Sequence, residues 1–539
     1  MIKKNIAIIF IILLLSAMLR LYRININPPS LSWDEASLGY NAFLIGSSLH
    51  DEHGEYIPLA RFIAFGDYKP PGYIYADVLP VRLLGLNEFS VRFPSAVSGI
   101  LMVLVTYLLV KELFGSKRIA LLASLFIGIS PWSLQLSRAA YEANMAAFLN
   151  LSGVYFFLLS RKRKWFLALS VVLFIASFYT FNANRIIAPF LLLFLSVYFW
   201  RDMLSNKKWV IISVLMGMVL VSPSIQYLLS RESKLRLQEV SIFNNLAPLK
   251  QSNEMIAYDK GAWWAKIIHN RRVLYGMDFL KHYFDNFTGR FLFVEGDANP
   301  RLSVQNMGEL YVFDLFFLIA GGFWLFKKKK DVFWPLIFWM IIVPIPSALA
   351  KETPHALRIV SILPVYQIII AYGVYMTFNK LKVRLPFNIF QTALVMIVLV
   401  LTACVYYYLH NYYIHYPIDW SGEWQYGYKQ MVSYVTPLES KYDHIFVTES
   451  YGRPYIYFAF YNRYTEGKLL KIKKGSRDWF GFWHVSDLGK IHFGFDNLQK
   501  SKGKILIVTT SGNMPGGYKE IKEIPNLKGD TVFIIGKKL

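Results

Sequence analysis

A polytopic α-helical membrane protein with a small α/β domain at its carboxy terminus is the architecture this sequence predicts, on three observations. Of its 539 residues, 55% are hydrophobic and only 17% are charged, where a soluble chain carries about a quarter. The apolar residues gather into about eleven runs close to the length of a bilayer crossing. Every second loop between those runs is basic, which is the pattern topology imposes on cytoplasmic loops. The formal charge of +23 is thereby explained without a nucleic-acid partner.

The first run, Asn5 to Leu21, follows Lys3 and Lys4 and resembles a signal peptide. However, Arg20 and Arg23 stand where a small-residue cleavage site belongs. It is expected to remain as an anchor with a cytoplasmic amino terminus. Phe93–Val110, Ile119–Leu134, Ala143–Ser160, Trp165–Phe181, Ile186–Trp200 and Trp209–Leu229 follow. Leu310–Phe326, Val332–Ala350, Ala356–Phe378 and Ile389–Leu409 complete the set. The basic loops hold Lys111, Lys117 and Arg118, the run from Arg161 to Lys164, and Arg201 with Lys207 and Lys208. The run from Lys327 to Lys330 and the set Lys380, Lys382 and Arg384 continue the alternation.

With those loops inside the cell, three larger pieces lie outside: a first loop over 22–92, a second over 230–309, and the region 410–539. Residues 1–409 then form a transmembrane module in the plasma membrane, and 410–539 an extracytoplasmic domain. In that domain His444–Thr448, Lys504–Thr509 and Thr531–Ile535 have strand composition, while Pro454–Tyr461 reads equally as helix or strand. The second loop holds an aromatic and basic stretch from Trp263 through Arg271, Arg272 and Lys281. It suits either a helix in the headgroup layer or a solvated loop. Cys404 is the single cysteine, so an internal disulfide and a cysteine-based metal site are both excluded.

Ionisable residues at a lipid edge are expensive and therefore mark candidate sites. Asp34 and Glu35 follow the first apolar run in the motif Trp33-Asp34-Glu35-Ala36. Their position after Ser32 also suits plain helix capping. Lys69 precedes Pro70, Pro71 and Gly72, which hold its backbone extended. An acid pair and a lysine in one loop suit proton abstraction beside a bound anion. Glu142 opens the fourth run, either as an acid favoured by the helix dipole or as a second acid facing the first loop. Arg138, Arg185, Lys351 and Arg358, with His355 nearby, break the rule that short external loops lack cations. Each is explained singly by snorkelling; together they suit an anion in the bilayer, such as a lipid phosphate. His355 and Arg358 are three apart at an expected helix start, where the dipole also favours phosphate.

Three stretches occur in order: Trp33-Asp34-Glu35-Ala36, Lys69-Pro70-Pro71-Gly72-Tyr73, and Leu86-Asn87-Glu88-Phe89-Ser90-Val91-Arg92-Phe93-Pro94-Ser95. This ordered set resembles the amino-terminal half of the glycosyltransferase-C superfamily. The nearest branch is the protein O-mannosyltransferase and lipid A aminoarabinose-transferase type, similar to glycosyltransferase family 39. The resemblance is strongest over residues 1–200. It implies a glycosyltransferase-C fold and transfer of a sugar, usually with inversion, from a polyprenyl-phosphate carrier to a lipid, glycan or protein acceptor on the outer face. Asp34 then matches the family's catalytic base and Glu35 its neighbour. Glu142 falls near the second acid, where Asp is common. Lys69 matches the contact to the carrier phosphate, with Arg138, His355 and Arg358 as further candidates. Phe293 to Arg301 looks like a feature of some prokaryotic members, and gives Arg301 a phosphate or sugar to reach. The branch implies no required cofactor, although two separated acids leave a divalent metal open.

Two other readings compete with the transferase. A transporter or flippase of lipid-linked sugars would place charges near mid-membrane and break its helices. A membrane-anchored binding protein would put its activity in the carboxy-terminal domain. The charges sit at helix ends on one side, which favours surface chemistry.

Overall fold

The computed structural model describes residues 2–65, 67–234, 241–477 and 483–539. Each of the eleven expected apolar runs overlaps a helix, although Ala356–Phe378 begins in turns and a short 3-10 helix and enters its α-helix only at Val365. Among the described residues, six helices have the length and apolar composition to cross a membrane, or seven if one bent pair counts as a span. That pair, Lys117–Ile129 and Pro131–Ser137, bends by 54°. The reason lies in Pro131, which lacks an N–H and forces Ser130 before it out of the helical region, to φ −60° and ψ 129°. Asn5–Leu21, Phe166–Phe178 and Asn184–Tyr198 are apolar but shorter, so the count of eleven spans is not reached on length alone.

The described chain gathers into two compact units. The first comprises Met1–Ser16, Gly99–Gln135 and Ala143–Val405; the second comprises Ala17–Ser98, Leu136–Glu142 and Tyr406–Leu539.

In the first unit, helices Val312–Lys328 and Val365–Arg384 approach backbone to backbone. A side-chain carbon on Gly321 would strike the carbonyl of Ile369, and one on Gly373 the carbonyl of Phe317. Small residues at such crossings are how helices pack closely when lipid supplies no hydrophobic drive. The aromatic, basic stretch of the second loop forms helices Ala265–Ile268 and Arg271–Asp285, the latter with no buried residue. Residues 235–240 of that loop lie outside the described residues.

The second unit contains helices Trp33–Ser48 and Gly72–Leu84 and a hairpin, β1 (Phe62–Ala64) and β2 (Asp67–Lys69), with Lys69 opposite Phe62. Its other sheet has seven strands: β3 (His444–Val447), β4 (Lys473–Arg477), β5 (Trp483–Leu488), β6 (Ile491–Phe493), β7 (Ile505–Thr509), β8 (Tyr518–Pro525) and β9 (Thr531–Lys538). Their order is β4-β5-β6-β3-β7-β9-β8. β3 runs parallel to β6 and β7, and the remaining pairs are antiparallel. All five residues of β7 are buried, as expected for a strand covered on both faces. Pro454–Tyr461, open between two readings in the sequence, is a helix buried from Pro454 to Phe460.

That helix holds the first loop. The Tyr457 hydroxyl donates to the Leu31 carbonyl at 3.0 Å. On the facing helix, the Tyr40 hydroxyl donates to the Tyr464 carbonyl at 2.7 Å. Beside them Lys473 pairs with the fully buried Glu52 at 3.2 Å. The Glu52 carboxylate also accepts from Asn41 and from the Tyr455 hydroxyl.

His53, next to this pair, is pushed down to about 4 by burial and then by Lys473; Glu52 opposes the shift and Arg477 adds to it. The unfolded chain takes up this proton below about 6.5, the folded chain only near 4. Stability is therefore expected to fall as the pH drops from 6.5 toward 4. Glu52, fully buried yet held below the usual carboxylate range by Lys473, keeps its contribution until the pH falls to about 4.3, where the unfolded carboxylate takes up its proton. The unfolding midpoint of the wild type should drop more between pH 7 and pH 5 than that of His53→Asn. Equal drops would refute the assignment.

Candidate active site

The Asp-Glu pair at the start of helix Trp33–Ser48 splits into two roles. Ser32 caps the helix: its hydroxyl accepts from the Glu35 N–H, and the Glu35 carboxylate accepts from the Ser32 N–H at 3.0 Å. This is the reciprocal capping box. The same carboxylate accepts from Arg92 Nε at 2.9 Å, from Arg92 Nη2 at 3.2 Å and from the Ala140 N–H at 2.9 Å. Arg92 in turn donates to the carbonyls of Ile24, Pro28 and Ser30. Both side chains are at most 1% exposed. Glu35 is thus a buried structural junction, and its expected share in catalysis gives way to that role.

Asp34, one residue earlier and about 100° around the helix, points elsewhere. Its side chain is 43% exposed and its Oδ1 lies 2.8 Å from Lys69 Nζ. The Lys69 side chain is only 6% exposed, and its ammonium also lies 3.6 Å from Glu142 Oε1. Glu142 opens helix Glu142–Ser160, so both readings made of it hold: it stands at a helix start and it faces the first loop. The rigid turn after Lys69 supplies the end of β2 and the start of helix Gly72–Leu84. Three residues singled out in the sequence therefore converge, and Asp34 is the most exposed of them.

Arg138 is placed differently from expectation. Its guanidinium donates to the carbonyls of Leu19, Tyr22 and Asn27 and to the Tyr412 hydroxyl at 2.9 Å, and it lies over the Tyr412 ring. An arginine 1% exposed and engaged in this way ties backbone together, so the expected contact with a carrier phosphate is replaced by a structural one.

In the first unit, His355 and Arg358 lie in turns before the short 3-10 helix Val360–Ile362, not at a helix start. The long helix begins only at Val365, after Pro364. The dipole argument for phosphate accordingly lapses there. His355 is pushed down to about 3 by burial and then by Arg358, and its Nδ1 accepts from the Arg358 N–H at 3.4 Å. It is neutral near pH 7 and supplies no cation. The Arg358 guanidinium donates to the Glu352 carbonyl at 2.9 Å.

Arg301 is half-buried, its N–H donating to Asn299 and its carbonyl accepting from Gln135. Gly296, at φ +74°, makes the turn before it, and a side-chain carbon there would lie 2.7 Å from the Met307 carbonyl. Asp297 accepts from the Ala356 N–H at 2.6 Å and is raised to about 6 by burial. Asp297 and Arg92 each lie in a stretch singled out in the sequence, Phe293 to Arg301 and Leu86 to Ser95, but nothing in the sequence points to Ala356 or to the carbonyls of Ile24, Pro28 and Ser30 as their partners.

Among the described residues no cluster of three or more His, Cys, Asp or Glu side chains is arranged to hold a metal ion. The pair that sequence left open for a divalent cation, Asp34 and Glu142, has the Lys69 ammonium between them. That donor set does not fit a second positive charge.

Residues 68–227 match the family model of dolichyl-phosphate-mannose-protein mannosyltransferases. No curated protein sequence matches the chain. Among solved structures, ArnT from Cupriavidus metallidurans in the apo state is similar at a TM-score of 0.54 and 12% identity, over 100% of this chain and 98% of that one. The same protein bound to undecaprenyl phosphate gives 0.52, with the same identity and coverage. An Archaeoglobus fulgidus oligosaccharyltransferase tethered to an acceptor peptide gives 0.50 at 16% identity, over 86% of this chain. The chain spans 63% of that enzyme's length. At these identities the likeness is one of fold: a multi-pass helical membrane module with a carboxy-terminal sheet.

Proposed function

From a chain with the fold of the glycosyltransferase-C superfamily and, over residues 68–227, the sequence pattern of its mannosyltransferase branch, we propose an integral-membrane glycosyltransferase. It moves a hexosyl or pentosyl group from a polyprenyl-phosphate carrier to an acceptor hydroxyl or amine, with inversion. The observation that carries this reading is the half-exposed Asp34 carboxylate 2.8 Å from the buried Lys69 ammonium, with Glu142 behind it. The undecaprenyl phosphate bound by ArnT supports the carrier class. The basic loops support a cytoplasmic amino terminus and an extracytoplasmic active face. On this reading residues 1–409 are the catalytic membrane module, and 410–539 an external domain.

The chemistry follows from the residue types. A hydroxyl attacks poorly until its proton leaves, so Asp34 takes that proton as the acceptor oxygen bonds to the sugar's anomeric carbon. The bond from that carbon to the carrier phosphate breaks, and its electron pair leaves with the phosphate. Charge grows on the phosphate in the transition state, where Lys69 stabilises it more than in the ground state. Glu142 orients the ammonium between turnovers.

The test is release of free polyprenyl phosphate by the purified chain in lipid, from a panel of polyprenyl-phosphate sugars with total-membrane acceptors. Release from one donor is expected. Carrier binding without release from any donor would move the transporter reading to the front.

A further inference from the structure

A cavity of about 760 Å³ opens in the unit that carries Asp34. Trp33, its sequence neighbour, forms one wall, and the segment from Asp419 to Gln425, the loop after β3, His484 of β5 and the turn between β8 and β9 form the rest. The volume is that of a small-molecule site, roughly 300–1,000 Å³. Its lining carries three large aromatic side chains, Trp33, Trp420 and Tyr451. Carboxylates come from Asp419, Glu423, Glu449 and Asp530, against the cations Arg453 and Lys528. Glu449 also holds His484 at 3.1 Å. Gln425 and Asn526 add amides that both donate and accept.

The wall itself is built for close contact. Gly452 has φ +127°, and a side-chain carbon there would lie 2.7 Å from the Trp33 ring. Behind it the fully buried Tyr428 stacks on Tyr451, with its hydroxyl 3.9 Å from that same carbon position.

We infer that this cavity binds the acceptor, and that the acceptor is a neutral or amino-bearing saccharide. The identity of the bound sugar as acceptor rests on the glycosyltransferase reading. A sugar ring offers an apolar C–H face to aromatic rings, whose faces are electron-rich. Its hydroxyls donate to carboxylates and exchange bonds in both directions with the amides. A phosphate or uronate would meet a lining with more carboxylates than cations and be repelled. An alkyl chain would strip water from the carboxylates without replacing it. A basic peptide would suit the charge and its carbonyls could answer the amides, but its chain has no pyranose-like C–H face to lay on Trp33, Trp420 and Tyr451.

The experiment is saturation-transfer NMR on the full chain in nanodiscs. The probes are neutral manno-, gluco- and galacto-oligosaccharides, uronate oligomers and a lysine-rich peptide. A neutral oligosaccharide should bind saturably, at least tenfold more weakly in Trp420→Ala, and again near wild-type strength in Trp420→Phe, which keeps a ring. The binder should also serve as acceptor, with Trp420→Ala raising its KM more than it lowers kcat. Asp34→Asn should keep saccharide binding. No saccharide binding, binding equal in Trp420→Ala, or binding of the peptide alone would overturn the inference. Saccharide binding that depends on Trp420, without carrier-phosphate release from any donor, would instead overturn the transferase reading and with it the acceptor role.

Discussion

Asp34→Asn is expected to lower sugar transfer by about 10²–10⁴-fold, the usual contribution of a positioned general base, while carrier binding is kept. The amide has the carboxylate's shape, so the helix start and its Ser32 cap remain. It cannot accept the acceptor's proton, and it no longer competes with a phosphate for the ammonium of Lys69, now 2.8 Å away. Carrier affinity should therefore hold or rise as turnover falls. Release of polyprenyl phosphate and carrier binding, measured on one preparation, check both halves. Turnover within threefold of wild type would remove Asp34 from the mechanism and leave the cluster a structural ion pair.

The second large effect falls on folding. Arg92→Met should cost about 3–5 kcal/mol of stability, because it leaves a buried carboxylate without its partner. Glu35 is 1% exposed and would keep only the N–H groups of Ser32 and Ala140 and the Ser32 hydroxyl. The carbonyls of Ile24, Pro28 and Ser30 would lose their donor as well. The double variant Glu35→Gln with Arg92→Met should recover part of the loss, since no uncompensated charge remains. Chemical unfolding in detergent measures each. A single variant as stable as the wild type would mean that water reaches the site and screens Glu35.

Local signals in the sequence were legible where local physics decides. Apolar runs became helices, the serine before Asp34 and Glu35 became a cap, and β3, β7 and β9 formed on runs of branched residues. Strand β4 could not be read, because Lys-Lys-Gly-Ser-Arg has no strand propensity and is extended only by pairing with β5. The roles of Asp34 and Glu35 could not be separated either, since which of two neighbours faces inward depends on an arginine 57 residues away. Arg138 read as a phosphate ligand because its carbonyl acceptors lie more than a hundred residues off. The helix expected at His355 fails because Pro364 sets its start later. The cavity beside Trp33 has no motif at all, being assembled from segments that only the fold brings together.

The hydroxyls of Tyr40 and Tyr457 tie the first loop to partners 424 and 426 residues away in the chain. A ribosome must add more than four hundred residues to the first loop before those partners exist. During synthesis the loop that carries Asp34 and Lys69 must therefore wait, inserted at the membrane but not yet held in shape. Maturation of the site is postponed until the segment around Tyr457 and Tyr464 has been made. A chain cut short before Tyr455 would carry Asp34 and Lys69 with its first loop lacking these ties.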